Sequence, residues 1–392
     1  MAPVTLRVVA AHYLERRVAR RRADNPAVAV LRHVDYVLVG SIVLLAVVGV
    51  VMVYSASRSL YPLEPTYFLK RQIAYDVAGF AVMVTAALVD YRRLEEWGYV
   101  LYGAVVVALV AVKAIGHTEN GAERWISIAG FQLQPSEFAV LAVIIVVGVY
   151  LSRHERVLNI RTVAALVVLT GVPMLLVVVQ PDLGTAILLA AVLFVMLWVG
   201  GVRLRFLAAL VALAIAGFAL AVAIHVLNRY QLDRLTAFLH QDSGGSQTLN
   251  YNVIESKTAI GSGGLRGTGL FRGLETNLAY VPIQYADFIF SAIGEQIGFI
   301  GSALVIGLYG VVAYRVFRAI QVARDSLGRL LCAGVLAILA ISVFENIGMA
   351  TGIMPITGIP LPFISYGGSA LVAFFLAAGV VVNVELHRSR PR

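Results

Sequence analysis

The sequence predicts an all-α polytopic membrane protein of about ten transmembrane helices, with one long extracellular loop between spans seven and eight. Three observations predict it. Of 392 residues, 60% are hydrophobic and only 14% charged, with a mean hydropathy of +0.85, too little polar surface to keep a soluble domain dissolved. Several apolar runs reach about 20 residues, the length a helix needs to cross a bilayer. Backbone polar groups inside lipid must be satisfied within the segment, so these runs are helices.

In order, the span cores fall at 34–54, 72–89, 98–115, 137–151, 162–179, 184–200, 206–227, 293–314, 330–350 and 364–384. Pro181 and Gly184 interrupt the helical pattern and keep the fifth and sixth spans apart. Residues 1–33 form a basic N-terminal tail with no cleavable signal peptide, 34–387 the membrane domain and 388–392 a short C-terminal tail. The single cysteine, Cys332, excludes an internal disulfide.

Charge fixes the orientation. With the N-terminus inside, 21 of the 31 Lys and Arg lie on that side, an excess that puts both termini in the cytoplasm. The net charge of +9 is then mostly a signal of topology and of anionic membrane lipids, and argues against nucleic-acid binding.

Four polar clusters lie at the outer ends of the spans. In residues 120–137, "NGAERWISIAGFQLQPSE", Arg124 and Trp125 sit at the interface, Pro135 starts span four and Glu137 occupies its first turn. Glu137 is either a partner of the helix dipole or a carboxylate facing a cavity. In "QPDLGT", residues 180–185, Asp182 suits an N-cap of span six, and Gln180 and Asp182 point toward the external face.

The third cluster is the external segment 228–286, far longer than the other loops. Ser256 and Lys257 precede Gly261, Gly263, Gly264, Gly267 and Gly269. Such glycines either form turns or bring backbone amides up to a ligand, where a lysine favours phosphate. The spacing is not that of a P-loop. Asp287 follows, set directly before Phe288, Ile289 and Phe290, where desolvation would suit a carboxylate to proton transfer. Glu295 reads as a helix-start acid.

In the fourth cluster, residues 346–370, Pro355, Gly358, Pro360 and Pro362 preclude a regular helix, so an ordered hairpin is expected. At that depth it must be buried in protein or line a cavity, and cavity lining is preferred. Ser365 and Tyr366 open the last span.

Together the motifs "MVYSAS", "NGAERWI", "QPSEF", "QPDLGT", "SKTAIGSGGL", "ADFIFSAIGEQIGFIG" and "NIGMATGIMPITGIPLPFISYGGS" resemble, in order, the SEDS family of cell-wall polymerases, the RodA and FtsW proteins. The last of them looks closer to the RodA (elongation) branch. The resemblance covers roughly residues 34–385. It implies a peptidoglycan glycosyltransferase that polymerises lipid II at the outer face of the cytoplasmic membrane, partnered by a class B penicillin-binding protein. It places the family's essential Asp on Asp287 and the acid of its "QPSE" motif on Glu137.

The chain departs from the family at Val140, where a Lys is common, at Thr268, and at Ile283, Tyr285 and Ala286, which replace Glu, His and Thr.

Asp287 is then the candidate general base. Glu137, Arg124, Trp125, Gln180, Asp182, Ser256, Lys257, Ser365 and Tyr366 are the candidate substrate-binding residues. Lys257, Arg266 or Arg124 would balance the pyrophosphate, alone or with a divalent cation, Mg or Mn, for which Asp287 is a possible ligand. No organic cofactor is expected. Two alternatives stand beside the enzyme. A flippase or transporter should carry ionisable residues at mid-bilayer, where this chain has almost none. A non-catalytic scaffold for cell-wall enzymes would be compatible with the altered residues around Asp287.

Overall fold

The computed structural model describes residues 34–60, 62–115, 117–119, 122–128, 131–155, 159–223, 238 and 247–388. The expected N-terminal tail, the last four residues and most of 224–246 lie outside them.

Ten long helices occupy the ten expected spans: α1 (Tyr36–Ser57), α2 (Tyr67–Leu88), α3 (Leu94–Ile115), α4 (Pro135–Arg153), α5 (Ile160–Val179), α6 (Leu183–Val199), α7 (Leu204–Ala223), α10 (Ile289–Val322), α11 (Ser326–Thr351) and α12 (Gly368–Leu386). Among the described residues seven helices are long and apolar enough to cross a membrane, and α6 and α7 are shorter apolar helices. Helix α2 carries Lys70, Arg71 and Asp76 in its first half.

Side-chain caps set several helix starts. Asp35 accepts from Val37 N and Leu38 N, both at 3.1 Å, at the start of α1. Asn159 caps α5, and Asp325 accepts from Gly328 N at 2.8 Å to start α11. Gly352, at φ 78°, ends α11 in the left-handed conformation that glycine adopts without strain. Helices α4, α11 and α12 supply much of the buried interior; α12 packs along α2, and α10 packs against α11 and α1.

Two elements differ from expectation. Three short strands, β1 (His117–Glu119), β2 (Ala122–Ile128) and β3 (Phe131–Leu133), form a small antiparallel sheet in the order β1-β2-β3. The long loop is partly helical, with α8 (Gln247–Ser262) packed on α10 and α11 and a single turn, α9 (Leu274–Asn277). The end of the bundle holding this segment, the small sheet and the 352–367 hairpin is called the outer end, after the charge count.

At the opposite end Arg315 pairs with Asp35, whose side chain is 4% exposed. Removing one partner of a buried pair leaves an uncompensated charge. Arg315→Ala is therefore expected to destabilise the protein by about 3–5 kcal/mol. The reaction of the buried thiol of Cys332 with a maleimide dye during heating in detergent reads this out.

Candidate active site

The site is assembled on the backbone of residues 285–287. Tyr366 N donates to Tyr285 O at 3.0 Å, Ser365 Oγ to Ala286 O at 2.6 Å, and Asn346 Nδ2 to Asp287 O at 2.8 Å. Three consecutive carbonyls are thus held by the 352–367 hairpin and by α11. The donors are themselves fixed: Asn346 Nδ2 also donates to Ile359 O at 2.9 Å, and Ser365 Oγ accepts from Leu361 N at 2.8 Å. Asp287 is half-buried above the buried Phe288, Ile289 and Phe290. Its Oδ2 lies 3.7 Å from where a Cβ at Gly358 would stand.

The loop that carries Ile283, Tyr285 and Ala286 is thus positioned through its main chain, and the place of the acid does not depend on those side chains. Most of residues 359–365 are packed in protein, Leu361, Phe363, Ile364 and Ser365 being buried. The preference for cavity lining gives way along this stretch to burial, which satisfies the irregular backbone in the same way.

Beside Asp287 stands an aromatic group that the sequence reading did not assemble. Phe68 lies 4.4 Å from Tyr285 and 4.9 Å from Tyr366, ring centre to ring centre, and Tyr75 lies 5.9 Å from Tyr366. Arg71 sits over the Tyr67 ring at 4.6 Å and bonds the Tyr366 hydroxyl. Its signal was the charged "KRQ" at the start of span two, which a core beginning at residue 72 left outside.

A second polar cluster joins the starts of α4 and α6. Asp182 caps α6, accepting from Thr185 N at 3.2 Å and Thr185 Oγ1 at 3.0 Å, and also from Ser136 Oγ at 3.1 Å. Glu137 is half-buried in the first turn of α4, its charge within reach of Asp182. Val140, one turn on, is buried. Gly184 brings this cluster to the hairpin, for a Cβ there would stand 3.0 Å from Thr357 O.

The other expected residues lie elsewhere. Gln180 is buried and donates to Leu109 O at 2.8 Å, toward α3. Ser256 is buried and donates to Ala350 O at 2.7 Å, docking α8 on α11, whereas Lys257 is exposed on α8. Trp125 is half-buried on β2; Arg124 precedes it, and its side chain lies outside the described part.

The glycine-rich segment approaches another stretch of chain. Thr268 N donates to Glu295 O at 2.9 Å, Gly269 N to Gln296 O at 3.1 Å, Phe299 N to Gly264 O at 2.9 Å and Ile300 N to Leu265 O at 3.1 Å. These bonds bracket Gly298 (φ 67°, ψ −167°), a break inside α10, and replace the helical bonds lost there. Glu295 is fully buried and accepts from Glu275 N at 2.8 Å, Thr276 N at 3.0 Å and Thr276 Oγ1 at 2.5 Å. It is a clasp for α9 rather than a helix-start acid. The end of α1 joins the same assembly: Ser55 Oγ donates to Gln296 Oε1 at 2.7 Å, and Arg58 Nη2 to Phe271 O at 2.6 Å.

Sequence reasoning also passed over Asp76 and Glu345, acids within the spans. Both Asp76 oxygens are buried without a hydrogen-bond partner. No group of three or more His, Cys, Asp and Glu side chains suited to a metal occurs among the described residues.

Fold and site define a class: a polytopic helical membrane protein that holds a carboxylate at the outer end of its bundle. Residues 35–390 match the FtsW/RodA/SpoVE model, described as a cell cycle protein, and the chain belongs to this family. It is 34% identical over 356 residues to peptidoglycan glycosyltransferase MrdB of Escherichia coli K12, covering 91% of this chain and 94% of that one. It is 36% identical to the probable peptidoglycan glycosyltransferase FtsW of Trichlorobacter lovleyi, with the same coverage. Among solved structures, RodA of Thermus thermophilus superposes with a TM-score of 0.69 at 28% identity, over 91% of this chain and 98% of that one. A chain from a peptidoglycan synthase complex that coordinates polymerization and crosslinking gives 0.75 at 28% identity, over 91% and 99%.

Burial raises the pKa of Glu275 above the usual carboxylate range, and the Glu255 and Glu295 carboxyls add to the shift. A raised carboxylate stabilises the fold while protonated, at low pH, and that contribution is lost as pH rises through the raised value. Glu275→Gln is therefore expected to match the wild type in thermal stability near pH 4 and to exceed it near pH 8.

Proposed function

We infer that this chain is a peptidoglycan glycosyltransferase that polymerises lipid II into glycan strands at the outer face of the cytoplasmic membrane, with both termini inside. The observation that carries this reading is the three-carbonyl anchorage of residues 285–287, which fixes the Asp287 carboxylate at the outer end of the bundle. Its relatives act under the same name, and the likeness to RodA favours a role in elongation and cell shape.

In the proposed reaction the hydroxyl of an acceptor sugar attacks the anomeric carbon of a lipid-pyrophosphate-linked donor. A glycosidic bond forms, the bond from that carbon to the pyrophosphate breaks, and the lipid pyrophosphate leaves with its electron pair. Asp287 takes the hydroxyl proton, which requires an approach of about 3 Å, directly or through one water. The pyrophosphate is a good leaving group, so a single base suits an inverting displacement. Arg71, held on the aromatic group beside the Asp287 loop, supplies positive charge for the pyrophosphate, with Lys257 and Arg266 on the exposed outer segment.

A lone carboxylate does not form a resident metal site. A Mg or Mn ion would enter with the pyrophosphate and take Asp287 as one oxygen ligand, as magnesium commonly binds between carboxylates and substrate phosphates. No step above depends on it. A class B penicillin-binding protein is the expected partner, crosslinking the strands this chain makes.

The test is polymerisation of labelled lipid II by the purified protein with its transpeptidase partner, across a Mg and Mn series. Asp287→Ala is expected to lower the rate at least about 100-fold, at the low end of what a positioned general base contributes. An Asp287→Ala protein that stays folded and polymerises at the wild-type rate would remove Asp287 from the mechanism.

A further inference from the structure

We propose that the acceptor hydroxyl reaches Asp287 through an opening kept by Gly358, a specificity-determining residue of the acceptor site; the inference rests on the reading of Asp287 as the base. A Cβ built on Gly358 would stand 3.7 Å from Asp287 Oδ2. Apart from its chain neighbours, no other heavy atom among the described residues lies within 4 Å of that position. Gly358 and Asp287 are both half-buried, whereas Thr357 and Ile359 on either side of Gly358 are buried. The hairpin thus presents one bare, accessible residue to the base, with open space around the line between them.

The surroundings prevent the hairpin from giving way. A single nitrogen, Asn346 Nδ2, donates to Asp287 O at 2.8 Å and to Ile359 O at 2.9 Å, and Asn346 is fully buried. The base and the residue after Gly358 are therefore held on one side chain. On the far side both neighbours of Gly358 rest on α6. A Cβ at Gly184 would stand 2.9 Å from Ile359 Cγ1 and 3.0 Å from Thr357 O, so the hairpin has no room to retreat. A side chain at 358 must then project into the space before Asp287 Oδ2. The attacking hydroxyl needs that same space, because it must come within about 3 Å of a carboxylate oxygen, directly or through one water. Gly358 also sits at φ 77°, in the left-handed region. Asn adopts that conformation as well, so the turn alone does not require glycine; the turn and the open space together do.

The experiment is steady-state polymerisation of labelled lipid II by the complex with its transpeptidase, for Gly358→Ala, Gly358→Asn, Gly201→Ala and Asp287→Ala. Thermal stability is followed in parallel by the Cys332 maleimide reaction. Gly201 is the control for strain: at φ 80° it is as left-handed as Gly358, a Cβ there meets nothing within 4 Å, and it lies beyond the inner end of α6. Gly201→Ala is expected to lose about as much stability as Gly358→Ala and to polymerise within about twofold of the wild type. Gly358→Ala should lower kcat/KM at least about tenfold and Gly358→Asn at least about 100-fold, as a displaced reactant does. The two orders cross, since Asn fits the left-handed turn better than Ala but fills more of the opening. Gly358→Asn should therefore be the more stable of the pair and the less active.

A Gly358→Ala enzyme that polymerises as well as Gly201→Ala, or a Gly358→Asn enzyme at least as active as Gly358→Ala, would overturn the opening. Should Gly358→Ala not fold, Gly358→Asn carries the same comparison with Gly201→Ala, and polymerisation at the control rate sinks the proposal. If Asp287→Ala is inactive while the Gly358 variants match the control, only the role of Gly358 fails. If Asp287→Ala is active, the reading of the base fails first.

Discussion

The outer end of this protein depends on satisfying irregular backbone at the edge of a bilayer, where unpaired N–H and C=O groups are costly. The chain leaves helical geometry at the 279–288 loop, at Gly298 and along 352–367, and each departure is matched by donors from another segment. Asn346, Ser365 and the amide of Tyr366 bind the loop carbonyls, and the glycine-rich segment bonds to α10 around Gly298. The polar bonds that make this backbone tolerable are the same bonds that hold the acid in place.

That economy sets the geometry of the site through the main chain. The carbonyls of residues 285–287 have their partners whatever side chains Ile283, Tyr285 and Ala286 present. The Tyr285 ring packs against Phe68 and Tyr366, and Arg71 of α2 stands over the Tyr67 ring in the same group.

Much of the bundle was legible in the sequence because each span leaves a local record. Runs of apolar residues, Pro135 at a helix start, Asp182 as a cap and the proline-rich hairpin all appear where their local chemistry put them. Asp287 was legible for the same reason, as an acid set against apolar neighbours. What the sequence hid depends on contacts between distant segments. The glycines near residue 264 could serve a ligand or another backbone, and only the broken stretch of α10 at 295–300 decides between them. The part-apolar stretch at 247–262 is a helix because α10 and α11 give it a surface to pack on. Gln180 lies beside Asp182 in sequence yet turns to α3, a choice that motif spacing does not record.

The central claim is that the Asp287 carboxylate meets the acceptor sugar. A structure of the protein with its transpeptidase partner and bound lipid II measures this directly. The account predicts an Asp287 oxygen within about 3.2 Å of the attacking hydroxyl, or one water away from it. Sugars seated elsewhere in the bundle, with Asp287 turned to lipid or bulk water, would contradict it.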